Sequence, residues 1–190
     1  MQTKFINKKI NYDGSQLSSH WIFENTGITG DAAVAFTGGC DVNPAFMVDL
    51  EDLSTHSSIY SPEMLHFIAE FFDHDLEKCI LKQRLFICII EELIKEYRKN
   101  LDIQRDGDDL YIVKKGKRLK LTVSIATVSP VSTLIHAGIN IISDKVPVPA
   151  CGLKEIMIRD SKKFGLDVLK RFSKEMIGAA YARTKVKPVR

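Results

Sequence analysis

The stretch Gly107–Ile142, GDDLYIVKKGKRLKLTVSIATVSPVSTLIHAGINII, decides the fold. Leu110–Val113 is a short apolar run behind an acidic turn, and Lys115-Gly116-Lys117 supplies a hairpin connection, since glycine accepts the positive φ of tight turns. From Lys117 the alternation is strict. Leu119, Leu121, Val123 and Ile125 point one way; Arg118, Lys120, Thr122 and Ser124 point the other. A period of two marks a strand with one buried face. Ser129-Pro130 breaks the run. A second run then sets Ile135, Ala137, Ile139 and Ile141 against His136, Gly138 and Asn140. If Lys117–Thr127 and Leu134–Ile142 pair as antiparallel neighbours, the sheet has an aliphatic back and a front bearing Lys120, Ser124, His136 and Asn140. Gly138 on that front leaves room for a ligand to approach the backbone. The plainer alternative is a solvated face with a glycine bulge.

Working outward, the chain alternates between strands and helices. Phe5–Ile10 reads as a short strand, Asp13-Gly14-Ser15 as a turn, and Gln16–Asn25 as a helix stopped by Gly27. That helix places His20 and Glu24 at i, i+4. Asp31–Phe36 is a strand closed by Thr37-Gly38-Gly39. In Phe46–Leu53 (FMVDLEDL), Val48 and Leu50 alternate with Asp49 and Glu51. This predicts a strand with carboxylates on one face, where Asp49 and Glu51 are candidate Mg²⁺ ligands. Ser61-Pro62-Glu63 has the signature of a helix start. The stripe Met64, Leu65, Phe67, Ile68, Phe71 and Phe72 extends that helix, with His66, Glu70 and His74 at i, i+4, i+8. Leu76–Lys99 is the longest predicted helix, apolar around most of its girth near Ile87, as befits a central helix or one at a homodimer interface. A final helix spans about Ser161–Arg183. The order is that of an α+β fold with a mostly antiparallel sheet packed with helices.

Composition narrows the functional classes. A chain of 190 residues fits one domain, 1–190. The net charge of +3 permits an anionic ligand but does not point to nucleic acid. The four cysteines, Cys40, Cys79, Cys88 and Cys151, have no CxxC spacing, which fits reduced thiols in a cytoplasmic protein better than zinc or disulfides. No stretch approaches the roughly 20 apolar residues of a membrane span, and MQTKFINKK lacks an apolar signal core.

The segments YDGSQLSSHW, GDAAVAFTGGCDV, MVDLEDL, MLHFIAEFF, GDDLYIV and SIATVSPVSTLIHAGIN together resemble the family catalogued as domain of unknown function 366. That resemblance implies no activity. More distantly, GKRLKLTVSIATVSPVSTLIHAGINI is similar to the central block of biotin and lipoate protein ligases, where a strand with an essential lysine precedes a Gly-Ile-Asn-like run. The implied fold is that of biotin/lipoate ligases and class II aminoacyl-tRNA synthetases, whose antiparallel sheet floors the ligand pocket. The Arg-Arg and SGGG loop of lipoate ligases and the GRGRxGR-like loop of biotin ligases are missing. Thr37-Gly38-Gly39 is the nearest counterpart, without arginines. Adenylate formation needs cations or N–H dipoles where phosphate charge develops, so the resemblance implies the fold more than the ligase activity.

These readings combine into one expectation. The chain binds a small carboxylate-bearing or nucleotide-like ligand on its polar sheet face, as an adenylate-forming or acyl-transferring enzyme with ATP and Mg²⁺ as implied cofactors. Lys117, the closer match to a ligase-type GK motif, or Lys120 contacts the anionic group. His20, Ser124, His136, Gly138 and Asn140 bind the ligand. His66 is the candidate general base, because histidine titrates near neutral pH. The rival readings are a binding module without chemistry and a protein associated with RNA.

Overall fold

The computed structural model describes residues 1–189. In chain order its elements are strand β1 (Gln2–Phe5), helix α1 (Trp21–Thr26), strand β2 (Ala32–Asp41), a 3₁₀ turn (Pro44–Phe46), helix α2 (Leu50–Thr55) and strand β3 (Tyr60–Phe71). Helix α3 (Leu76–Tyr97) follows, then strands β4 (Ile103–Asp106), β5 (Asp109–Lys114), β6 (Lys117–Lys120), β7 (Thr122–Val128) and β8 (Thr133–Ile142), and helix α4 (Ser161–Thr184). The fold is α+β. A five-stranded sheet runs β1-β2-β3-β8-β7, antiparallel except for the β1–β2 pair, and β4-β5-β6 form a small antiparallel sheet.

The large sheet is covered on both faces. Leu65, Phe67, Ala69 and Phe71 of β3 pack with Ile135, Ala137 and Ile139 of β8 against α3 and α4. The alternate residues, including Met64 and Ile68, pack with Val34, Phe36, Tyr12 and Ile22 beneath the N-terminal segment. Central strands buried on both faces lose the alternation that betrays a strand. This is why Ser61–Phe72 reads as a helix and is instead the middle strand β3. Pro62 is tolerated there because the ladders on either side shift register next to it, between Gly38 and Cys40 on β2 and between Glu63 and Met64 on β3.

The alternating run Lys117–Thr127 serves two sheets rather than one. Lys117–Lys120 pairs with β5, and only Thr122–Val128 pairs with β8. Leu121 bridges them: its N–H donates to Leu110 O (2.8 Å) and its carbonyl accepts from Asn140 N (3.0 Å). The phase of alternation changes at this point, because Leu121 and Thr122 are both fully buried. A slip of one residue sends every later side chain to the opposite face. Val123 and Ile125 therefore sit opposite Gly138 and His136, whereas Ser124 sits opposite Ala137 on the helix-covered face.

Two other expectations are corrected. Thr37-Gly38-Gly39 does not close a strand, since β2 runs through it to Asp41. The segment Ile10–Tyr12 runs alongside, with Ile10 N donating to Thr37 O (3.0 Å) and Tyr12 N to Gly39 O (2.9 Å). A Cβ on Gly38 would collide with the Ile10 carbonyl, so glycine permits the close approach. Phe46–Leu53 is not a strand either. Asp49 is the N-cap of α2, its Oδ1 accepting from Glu51 N (2.8 Å) and Asp52 N (3.1 Å). A capping aspartate satisfies two orphan amides, a local gain that a four-residue alternation does not match.

Candidate functional site

A cavity of about 390 Å³ opens at the end of the large sheet, on the face away from α3 and α4. Its floor includes His136 and Asn140 of β8 with Met64 of β3. The segment around Phe46–Asp52 and the loop Val146–Val148 form other walls. Backbone pairing holds the second loop in place: Lys120 N donates to Pro149 O (2.8 Å), Cys151 N to Lys120 O (3.0 Å) and Leu153 N to Asn140 O (2.8 Å). This stitch fills the gap between β6 and β8 and brings Lys120 to the cavity wall.

Beneath the floor lies a stack of rings. Tyr12 is parallel to His136 at 3.7 Å between centroids, and His66 is flanked by Phe36 at 5.1 Å. His66 Nδ1 and His136 Nε2 are 3.1 Å apart, so one nitrogen donates a proton and the other accepts it. Burial holds both rings neutral. It pushes His66 down to about 4, only partly opposed by the Gly38 and Gly39 carbonyls, and burial with the neighbouring His66 lowers His136 well below the ordinary value. Burial, with smaller contributions from Cys40 and Asp13, raises the Tyr12 phenol and keeps it protonated. His66 is wholly buried and its Nε2 has no hydrogen-bond partner among the described residues, whereas His136 lines the cavity.

The polar wall is mostly acidic. Lys120 Nζ contacts Asp109 Oδ2 at 2.8 Å. Burial lowers the Lys120 pKa, but Asp109, with help from Tyr111 and Asp52, more than offsets it and the ammonium is retained. Burial raises Asp109 despite that ion pair. Asp108 meets Arg84 Nη1 at 3.2 Å and accepts from Gln83 Nε2 at 2.8 Å. Ser61 is 2 % exposed, lines the cavity and leaves its Oγ without a partner among the described residues.

The structure gathers Lys120, Ser124, His136, Asn140 and Asp49 around one cavity. Ser124 reaches it from the β7 edge, its Oγ bonded to Gln83 Nε2 (2.8 Å) and to the Asp108 carbonyl (3.1 Å). The remaining candidates lie elsewhere. Lys117 is exposed in β6 and Glu51 is exposed on α2. His20 is exposed at the N-terminus of α1, where its backbone N–H, not its ring, bonds the Glu70 carboxylate at 3.0 Å. Gly138 lies under Met64, whose Cε would stand 2.8 Å from an added Cβ, so the group that approaches this backbone is a methionine. The His66, Glu70, His74 series does not form on a helix. Glu70 accepts from Ser132 Oγ (2.7 Å), and His74 bonds the Pro130 carbonyl (2.8 Å). Among the described residues no group of three or more His, Cys, Asp or Glu side chains is placed to hold a metal ion.

Sequence reasoning missed Asp108 and Asp109 of the polar wall, and also Tyr12 and Ser61. Tyr12 arrives through the pairing of its segment with β2, and Ser61 looks like a helix cap until β3 is known to be a strand. No local pattern marks either.

Comparison with solved structures places the fold. A biotin protein ligase from Aquifex aeolicus is similar over 93 % of this chain and 68 % of its own, with a TM-score of 0.57 and 16 % identity. A protein of unknown function from Pyrococcus horikoshi matches with a TM-score of 0.91 and 37 % identity over 100 % of both chains. Uncharacterized protein MJ0805 of Methanocaldococcus jannaschii is 34 % identical over 182 residues, 93 % of this chain and 80 % of that protein. The fold is thus of the biotin/lipoate protein ligase type. No helix among the described residues is long and apolar enough to cross a membrane. With residues 1–187 matched by its family model, the chain belongs to the family described as domain of unknown function (DUF366).

Proposed function

We propose that this protein binds a small organic ligand in the cavity above His136 and Asn140. The observation that carries this reading is the cavity itself: about 390 Å³, walled by apolar side chains and a few convergent polar groups. Small-molecule sites are typically concave, largely apolar and about 300–1,000 Å³. In this reading Lys120 receives a carboxylate or other anionic group, Asn140 hydrogen-bonds the ligand, and His136 offers a neutral ring nitrogen. His66 acts through His136 by fixing which of its nitrogens carries the proton.

A second reading adds chemistry: an adenylate-forming or acyl-transferring enzyme. The ligase-type fold supports it, as does a lysine at the cavity wall. The four aspartates of the lining mean that a nucleotide would need an accompanying Mg²⁺ to enter, with Asp49 and Asp52 as the carboxylates on its side. The acidic lining supports a small ligand over RNA, whose phosphates it would repel.

Mass spectrometry of molecules released from the purified protein tests both readings, alongside thermal shifts with ATP, Mg²⁺, biotin and lipoate, singly and together. Recovery of a small molecule, or a shift with one of these, is the expected result. A shift with ATP and Mg²⁺ together that exceeds either alone supports the enzyme. A ligand without nucleotide linkage supports a binding module. No released molecule and no shift in any condition ends the cavity reading.

A further inference from the structure

Two histidines meet beneath the cavity floor, and their surroundings decide where the protons sit. His66 Nδ1 and His136 Nε2 stand 3.1 Å apart and both rings are neutral, so one of these nitrogens donates and the other accepts. The other nitrogen of His66, Nε2, is sealed in the interior and has no hydrogen-bond partner among the described residues. The polar groups that act on this ring from β2 are the Gly38 and Gly39 carbonyls. A carbonyl can only accept. It attracts an N–H and repels a lone pair, even where the geometry falls short of a hydrogen bond. His66 therefore carries its proton on Nε2 and accepts at Nδ1 from the Nε2–H of His136. A neutral imidazole holds one such proton, so Nδ1 of His136 is bare. That nitrogen also lacks a partner among the described residues. Unlike His66 Nε2 it is not sealed, and its ring lines the cavity.

Resting on the cavity as the ligand site, we infer that His66 is a positioning residue that holds His136 in its Nε2–H tautomer, and that the ligand meets His136 Nδ1 with an N–H or O–H donor. The Gly38 and Gly39 carbonyls orient His66, His66 orients His136, and His136 presents an acceptor to the cavity. Stacking resists rotation of the rings: Tyr12 lies parallel to His136 at 3.7 Å, and Phe36 flanks His66 at 5.1 Å. Asn140, further along β8, follows the same polarity. Its Nδ2 donates to the Lys120 carbonyl at 3.4 Å, which leaves Oδ1 as the acceptor. The strand that floors the cavity thus offers acceptors, beside apolar contacts from Phe46, Val123 and Val148. The ligand class is an apolar body with a neutral donor, such as an amide, a pyrrole-type N–H or a hydroxyl, at the end that reaches the floor. An isostere with an acceptor at that point sets two lone pairs against each other, and a site built to hydrogen-bond a donor rejects the analogue without one.

The test uses the isotope-labelled full chain, and its first arm needs no ligand. Long-range proton–nitrogen correlation spectra at neutral pH separate protonated from bare ring nitrogens. His66 and His136 should each show Nε2 protonated and Nδ1 bare. His66→Phe keeps a stacked ring but removes the acceptor, and should release His136 into a mixture of tautomers. His66→Gln should keep the single tautomer, since its amide oxygen accepts from His136 while its NH₂ group faces the Gly38 and Gly39 carbonyls. If phenylalanine preserves the tautomer as well as glutamine does, His66 is only structural and the inference falls. The second arm uses matched probes, indole against benzofuran and phenol against anisole, each pair alike in shape and differing in the donor. At least one donor should bind about tenfold or more tightly than its partner and shift the His136 Nδ1 signal. That ratio should shrink toward one in His66→Phe. A protonated Nδ1 on His136 in the parent protein overturns the inference and leaves the cavity reading standing, as does equal binding within both pairs. Binding of any probe, or of ATP, biotin or lipoate, that shifts other cavity residues but not His136 Nδ1 overturns the donor assignment alone. No shift at any cavity residue from any of these molecules overturns both readings.

Discussion

The two faces of the five-stranded sheet are built on opposite plans. Toward α3 and α4 the contacts are apolar and interlocked. Phe67 meets Phe86 edge-on at 5.2 Å, Phe86 meets Phe172 at 4.5 Å and Phe172 meets Phe71 at 6.2 Å. On the other face the same strand, β3, contributes His66 and Glu70 beside Met64 and Ile68. Rings with polar atoms stack there, and the layer ends in a cavity. One face is fixed by shape, the other by stacked rings and by hydrogen bonds such as those of His66 with His136 and of Ser132 with Glu70. Polar groups are expensive to bury, so the second face gives up stability that the first must supply.

The largest effect should come from breaking the interlocked face. Phe172 is fully buried between two aromatic partners. Phe172→Ala should cost about 3–5 kcal/mol in urea unfolding, through lost transfer energy and the void left behind. The folded fraction should keep its ligand affinity. A loss below about 1 kcal/mol would erase the contrast between the faces.

A second, smaller effect belongs to the histidine face and depends on pH. His66 is pushed down to about 4 in the folded protein, and His136 is lowered as well. An unfolded histidine titrates near 6.5. Below that pH the unfolded chain takes up protons that the native rings refuse. The stabilisation from these neutral rings is complete above about pH 6.5 and declines as pH falls toward 4. The slope is about 1.4 kcal/mol per pH unit per histidine, so His66 alone accounts for about 3 kcal/mol across the window. Asp73, held near 2 although burial opposes the pull of Lys78 and Lys82, loses its contribution at lower pH. Urea midpoints at pH 7 and pH 5 therefore report mainly on the histidines. The midpoint should fall markedly, and His66→Gln should flatten the fall whatever its own offset. Equal midpoints at the two pH values would show that the rings are not held neutral.

One face is far more legible in the sequence than the other. Helices α3 and α4 and the pairing of β7 with β8 follow from periodicity, because each presents a single apolar side to one core. β3 does not, because Leu65 and Phe67 face one layer while Met64 and Ile68 face the other, and successive apolar residues imitate a helix. His136 and Asn140 are legible as a pair because β8 keeps its alternation to the end. Alternation alone puts Ser124 on their face, yet it lies on the opposite one, because the phase change at Leu121 is a tertiary event: one backbone group bonded to each of two sheets. Tyr12 and Ser61 join the site only through strands that no local pattern announces.

The smallest expected effect concerns two lysines three residues apart. Lys117 is the better match to a ligase-type GK motif, yet its side chain is exposed on β6, away from the cavity. Lys120 stands at the wall and is paired with Asp109. Lys120→Ala leaves a half-buried carboxylate without its cation, which should cost about 1–2 kcal/mol of stability and any affinity for a carboxylate ligand. Lys117→Ala removes an exposed side chain with no such partner among the described residues, so its stability change should stay within about 0.5 kcal/mol. Its affinity for any cavity ligand should match that of the parent protein. Unfolding curves and calorimetry on both variants separate motif from position. If Lys117→Ala abolishes binding and Lys120→Ala does not, the ligand lies on the outer side of β6, and the histidine face has no more to do with function than the phenylalanine face does.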